Sequence, residues 1–309
     1  MTQKYGNWNY ASYYSNCNRI DDCEEEFSTE KLLYGEDPVE IQVRNYHYSI
    51  DDFVVGSFEN HILLRIAASN GLTKGQLEKY LLLQGLVFEE AFLNNRLYRL
   101  VEYGYLSLII FRRMSDNKKI LIYEMTDKGY DYLKRKDCPI INFEKEELFG
   151  KDIFRSMRTK MVSNQIVLKL LCGLKEFRSF YFQRRIGLKI QTNGTYSIVV
   201  PLYIQTKEKK YMFEFVGNTI EGKRIFQNRM EILLSIKNII EKNTVLVIVA
   251  ETYEHMQTMT TEMLAYEKRA LGMDILYTHD SEWFYQNTGL TYAMVRAMGQ
   301  SGLMSIKII

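Results

Sequence analysis

The feature that most restricts this chain is an ordered change of apolar period between residues 58 and 136. Ile62, Leu63, Ile66 and Ala67 recur at helical spacing, and Asn70 with Gly71 supplies a stop. Thr73 then suits the N-cap of a second helix carrying Leu77, Tyr80 and Leu81, with a turn at Gln84 and Gly85. A third helix is expected from about Phe88, with Leu93, Leu97, Leu100 and Val101 on one face. It should end at Tyr103 and Gly104, where glycine takes the left-handed position just past a helix. From there the period drops to two. Residues 106–112 and 120–125 read as strands around a polar turn, and Thr126 caps a closing helix with Tyr130 and Leu133.

Three helices, two strands and a helix is the order that a winged helix-turn-helix requires. One stripe of the third helix packs on the first two, which leaves the other stripe free to enter a major groove. The stretches LYRLVEYGYLSL (97–108) and YEMTDKGYDYL (123–133) resemble the recognition helix, wing and closing helix of winged-helix DNA-binding domains. On the face opposite the leucines the third helix presents Asn94, Asn95, Arg96, Tyr98 and Arg99. Asn pairs with adenine and Arg with guanine in the major groove, while Tyr reaches phosphate. Arg112, Arg113, Lys118 and Lys119 flank the wing as candidate phosphate contacts. Glu89 and Glu90 at the helix start oppose this by repelling phosphate, although they complement the helix dipole. Winged helices also dock on proteins, so the fold alone does not select DNA.

Around this module the chain divides into an acidic arm rich in Tyr and Asn (1–50), the helix-rich domain (51–137), a linker (138–150) and a second domain (151–309). Eleven acids precede residue 53, against Lys4, Arg19, Lys31 and Arg44. The arm holds one alternating segment, 39–44, able to add a strand, and its acidic run 21–26 reads as solvated. Between 151 and 190 the balance reverses, with ten bases facing Asp152 and Glu176. Such a block is the footprint of polyanion binding, and Arg155 and Arg158 (with Lys160) extend the candidate DNA track.

The second half reads as a long helix from 153, strands near 180–182, 196–205 and 210–216, and a helix from 220 to 242. A buried strand at 245–250, a helix from 252 to 271, a strand at 274–277 and a last helix at 290–298 complete it. The core order is αβββαβαβ. It resembles the restriction-endonuclease-like core, and with the winged helix ahead of it, residues 55–280 resemble the replication-relaxation family of mobile-element proteins. The expected class is therefore α+β.

That resemblance implies a metal site: an Asp after a Pro on the second core strand, and a Glu-x-Lys on the third, with the carboxylates holding a divalent ion. The chain has Val200, Pro201, Leu202 and then Glu214, Phe215, Val216 at those places. One carboxylate remains, so metal-dependent cleavage is not expected. Glu214 is then either a vestige of the site or a strand-end acid satisfied by a neighbouring base. No phosphate-binding Gly-rich loop, serine nucleophile motif or zinc-binding His-Glu-x-x-His is present, and no cofactor is expected. His279 beside Asp280 reads as a polar pair or as a turn. Cys17, Cys23, Cys138 and Cys172 form no Cys-x-x-Cys pair and read as isolated thiols.

With 46% hydrophobic and 25% charged residues the composition is that of a soluble globular protein. The longest apolar runs, at 105–111 and 245–250, fall far short of the ~20 residues that span a bilayer. No secretory signal is legible at the start, so a cytoplasmic location without membrane association is expected. The function that follows is that of a non-catalytic accessory or regulatory protein acting on duplex DNA in plasmid or mobile-element replication or transfer. The alternatives are a metal-dependent nuclease with displaced ligands, and a scaffold that uses the winged helix to dock a protein partner or a second copy.

Overall fold

The computed structural model describes residues 39–44, 53–113, 119–136, 153–173, 177–190, 194–268, 273–284, 292–296 and 303–307. They belong to two compact units, one within 31–145 and one within 146–309, and the class is α+β. The expected linker at 138–150 and most of the N-terminal arm lie outside the described residues. No helix is long and apolar enough to cross a membrane among those described.

The first unit opens with strand β1 (Val39–Arg44), the alternating segment of the arm. Helix α1 (Ser57–Ser69) starts after Gly56, whose N–H donates to the Glu59 carboxylate at 3.1 Å. It stops at Asn70, in the left-handed region at φ 56°, followed by Gly71 at φ 109°. The two-residue strand β2 (Leu72–Thr73) leads into α2 (Lys74–Leu83). Here Thr73 accepts the Gln76 N–H at 3.2 Å while Gln76 accepts the Thr73 N–H at 3.4 Å, a reciprocal capping box.

Helix α3 (Glu90–Glu102) begins two residues later than the apolar pattern predicts, with Glu89 as its flanking residue. Leu93, Leu97 and Leu100 are fully buried beneath it. Gly104, at φ 71°, turns the chain into β3 (Leu106–Arg113), which pairs antiparallel with β4 (Lys119–Met125).

Thr126 then starts α4 (Asp127–Arg135). Its hydroxyl accepts the Gly129 N–H at 3.1 Å and donates to the Gly104 carbonyl at 2.6 Å. Gly129 is required there, because a Cβ would lie 2.3 Å from the Tyr105 carbonyl oxygen. The Gly104 and Thr126–Gly129 signatures are thus two halves of one joint. The finished sheet has the order β1-β3-β4-β2.

In the second unit α5 (Ile153–Gly173) precedes an antiparallel series, β5 (Phe177–Ile190), β6 (Gly194–Thr206) and β7 (Lys210–Phe215). Helix α6 (Ile220–Ile236), β8 (Thr244–Ala250), α7 (Tyr253–Lys268) and β9 (Asp274–His279) follow as parallel crossovers. From α5 to β9 the element order is αβββαβαβ. The central strand β8 is buried along its whole length, as a strand covered on both faces should be. One face carries a methionine-rich core, with Met212, Met230, Met256, Met259 and Met263 packed around Phe226. The other sets Phe213 edge-on to Trp283, ring centroids 6.3 Å apart.

Beyond β9 the sequence expectation fails. The apolar spacing predicts a helix over 290–298, but Tyr292–Arg296 is a strand, β10, paired antiparallel with β9 and with β11 (Leu303–Lys307). A short segment at the sheet margin takes its conformation from its pairing with β9 and β11, which outweighs a weak local preference. The short α8 (Asp280–Phe284) and β11 carry no periodic signal long enough to be read from sequence.

Candidate nucleic-acid interface

The outward stripe of α3 is built by the same residues that bury its inner one. With Leu93, Leu97 and Leu100 turned inward, Asn94, Asn95, Tyr98 and Arg99 are all exposed, Tyr98 to 66%. Arg96 behaves differently. Its guanidinium turns toward α1, with Nη1 3.0 Å from the buried Glu59 carboxylate and its centre 4.7 Å over the Phe92 ring. Phe92 in turn meets Phe58 at 5.1 Å. Arg96 therefore locks α3 onto α1, and four of the five predicted α3 contacts face solvent.

The acids at the start of α3 are partly offset. Glu90 hydrogen-bonds and ion-pairs with Lys74, and these contacts, with a smaller contribution from the Asn94 side chain, hold its carboxyl below the ordinary range. Lys74 also lies 3.6 Å from Glu78. The repulsion that Glu90 offers a phosphate is correspondingly reduced at short range.

On the strand pair, Arg112 stands opposite Lys119 across β3 and β4, and opposite Glu40 across β3 and β1. Lys119 is exposed and Arg112 half-buried. Arg113 pairs in register with Val39, and Lys118 lies outside the described residues. The β3–β4 pair is therefore flanked by a third strand, which places a glutamate in register beside one of its bases.

In the second unit the structure corrects one predicted contact. Arg158 is only 2% exposed. Its Nε and Nη2 donate to both oxygens of Asp280 at 2.7 and 2.9 Å, while Nη1 and Nη2 donate to the carbonyls of Val216 and Val249 at 2.9 and 3.2 Å. It clasps α5 to the carboxyl ends of β7 and β8 and to the start of α8, so it does not meet a phosphate. A run of bases in sequence carries no information on depth. Arg155 lies on α5, and Lys160 is half-buried.

Glu214 is likewise buried and paired. Arg229 of α6 meets it through two bonds, Nε to Oε2 at 2.7 Å and Nη2 to Oε1 at 2.6 Å, and Nη2 also donates to the Val199 carbonyl at 2.7 Å. Leu202, at the place of the expected aspartate, is fully buried. Among the described residues no three His, Cys, Asp or Glu side chains converge as a metal-binding set.

His255 carries no motif that would single it out in the sequence. It accepts the Glu251 N–H through Nδ1 at 3.3 Å and is buried. Burial first, then the nearby charges of Arg158 and Lys223, pushes its pKa down to about 4, so the imidazole is neutral near pH 7. His279 lies 3.5 Å from Glu282, and Asp280 holds Arg158. No spacing signal connects Arg229 or Asp280 to their partners, which lie 15 and 122 residues away. Comparison of the chain with protein-family models, curated proteins and solved structures finds no match.

Proposed function

We propose that the first unit is a winged helix-turn-helix that binds duplex DNA, with α3 in the major groove and the β3–β4 strands against the backbone. The observation that carries this is the stripe of Asn94, Asn95, Tyr98 and Arg99, exposed on a helix whose other face is fixed by buried leucines and by the Arg96–Glu59 pair. A helix that reads base edges needs amide and guanidinium groups on a rigid support, and both are present. Lys119, Arg112 and Arg113 supply the positioning charges.

The second unit is read as a restriction-endonuclease-like core that has lost its metal site. Support comes from Leu202 in place of an aspartate, Val216 in place of a lysine, and Glu214 already engaged by Arg229. In keeping with the resemblance to the replication-relaxation family, the whole chain acts as a non-catalytic accessory or regulatory protein on mobile-element DNA.

Anisotropy of a labelled random duplex, titrated with the full chain across a salt series, tests the DNA claim. Binding whose logarithm falls linearly with log salt is expected. No binding at low salt would overturn it. Protein docking on the same face is the competing function, favoured by Val87 at 80% and Phe92 at 39% exposure beside α3.

A further inference from the structure

Strands β5 and β6 are much longer than the sheet they join. Their pairing runs from Phe177↔Thr206 to Ile190↔Gly194, yet β7 pairs with β6 only from Leu202 to Gln205. The β5–β6 ladder shifts register between Phe177 and Ser179 and is interrupted again where Gln183, at φ 52°, faces Pro201. Proline has no N–H to donate, and a left-handed residue opposite it interrupts the regular ladder, although Ile186, Ile198 and Val200 beyond it still pack in the methionine-rich core. Just past the break, Arg229 takes the Val199 carbonyl while holding Glu214 of β7. The supposed vestigial carboxylate thus anchors the base of the ribbon. Beyond it, residues 184–190 and 194–200 pair only with each other among the described residues, over about 20 Å of strand.

The chemistry of that ribbon is one-sided. Between residues 184 and 200 the charged residues are Arg184, Arg185 and Lys189, with no acid in the sequence. Arg184 is engaged at the base, its guanidinium 4.0 Å over the Tyr203 ring and 3.7 Å from Glu241. Arg185 is exposed, with Ser197 Oγ 3.5 Å from its Nη1. Lys189 lies four residues further along, paired in register with Thr195.

We propose that the distal β5–β6 ribbon is a second nucleic-acid contact, in which Arg185 and Lys189 take phosphates of a DNA duplex. A two-stranded ribbon fits the width of the major groove, and polar side chains beside bases are the usual partners of phosphate oxygens. This rests on the chain binding DNA, but not on α3 being the reader.

The test measures the salt dependence of duplex binding by the full chain and by four variants. Arg185→Gln/Lys189→Gln should flatten the log–log slope by about 1.8, or about 0.9 for each phosphate no longer neutralised, equally on unrelated sequences. Arg185→Lys should keep the wild-type slope. Gln191→Glu/Asn193→Glu, which leaves the sequences of both strands unaltered, should weaken binding at low salt and so covers a folding failure of the first variant. Wild-type slope and affinity in both charge variants would overturn the ribbon contact, even if Asn95→Ala/Arg99→Ala weakens binding and so upholds α3. Absence of binding by the wild type at any salt would overturn both.

Discussion

Arg96 of α3 and Glu59 of α1 form an ion pair at 3.0 Å in which the carboxylate is 5% exposed and the guanidinium 31%. Glu59 also accepts the Gly56 N–H that begins α1, so one carboxylate ties the start of one helix to the middle of another. Arg96→Ala removes the charged partner and leaves the carboxylate its backbone donor. Because the guanidinium is partly solvated, the loss should be modest, about 1–2 kcal/mol in urea denaturation. A wild-type midpoint with a flattened DNA salt slope would instead make Arg96 a phosphate contact.

Arg158 should matter for stability and not for DNA. Arg158→Ala takes the charged partner from the buried Asp280 carboxylate and a donor from the Val216 carbonyl, while the Val249 carbonyl keeps the Val216 N–H, at a cost of about 3–5 kcal/mol. The exposed Arg185, changed to alanine, should stay within about 0.5 kcal/mol of wild type. Chemical denaturation of both variants checks the contrast, and equal effects would contradict the burial of Arg158.

His255 gives the second unit a pH dependence with a definite sign. Its pKa is about 4 when folded, below the ordinary 6.5, so between these values the unfolded chain binds more protons. The contribution is fully present above pH 6.5 and lost as pH falls toward 4, on the order of 3 kcal/mol in all. In His255→Gln that loss should be missing. Stability measured at about pH 7.5 and about pH 4.5 in both proteins reads the difference, and parallel pH profiles would refute it.

Glu214 tests whether the second unit cuts DNA. Plasmid DNA incubated with the chain and Mg²⁺ or Mn²⁺ should stay intact, and Glu214→Ala should lower stability by leaving Arg229 without its carboxylate. Metal-dependent cleavage that disappears in Glu214→Ala would establish an active nuclease.

The acids of the arm are tested by truncation. Val39, the first residue of β1, pairs with Arg113 at the end of β3, and Glu36 and Asp37 precede it closely in sequence. Deleting residues 1–38 removes the acids upstream while leaving β1 in place, and should raise duplex affinity at low salt. Unchanged or weaker binding would show that the arm does not compete with DNA.

How much of the fold is legible in the sequence depends on whether a signal is local. Thr73, Gly104 and Thr126 act within a few residues of their own positions, so the caps and turns of the first unit can be read directly. The buried β8 announces itself as a continuous apolar run. Tyr292–Arg296 is a strand because it pairs with β9 and β11, and its own apolar spacing does not say so. Arg158 and Arg185 look alike in a charge count, and only the fold separates a buried clasp from an exposed base. The partner of Glu214 is foreseeable as a type, a neighbouring base, while its identity as Arg229 requires α6 to be folded against β7.

The most direct test of α3 as a DNA reader is enrichment of bound sites from a random duplex pool, comparing wild type with Asn95→Ala/Arg99→Ala. Each bidentate contact to a base is worth about 1–3 kcal/mol of discrimination. Wild type should therefore enrich a defined motif, and the variant should lose preference at the positions those residues contact while retaining salt-dependent binding. An identical motif from both proteins, or none from the wild type, would contradict α3 as the reader of DNA.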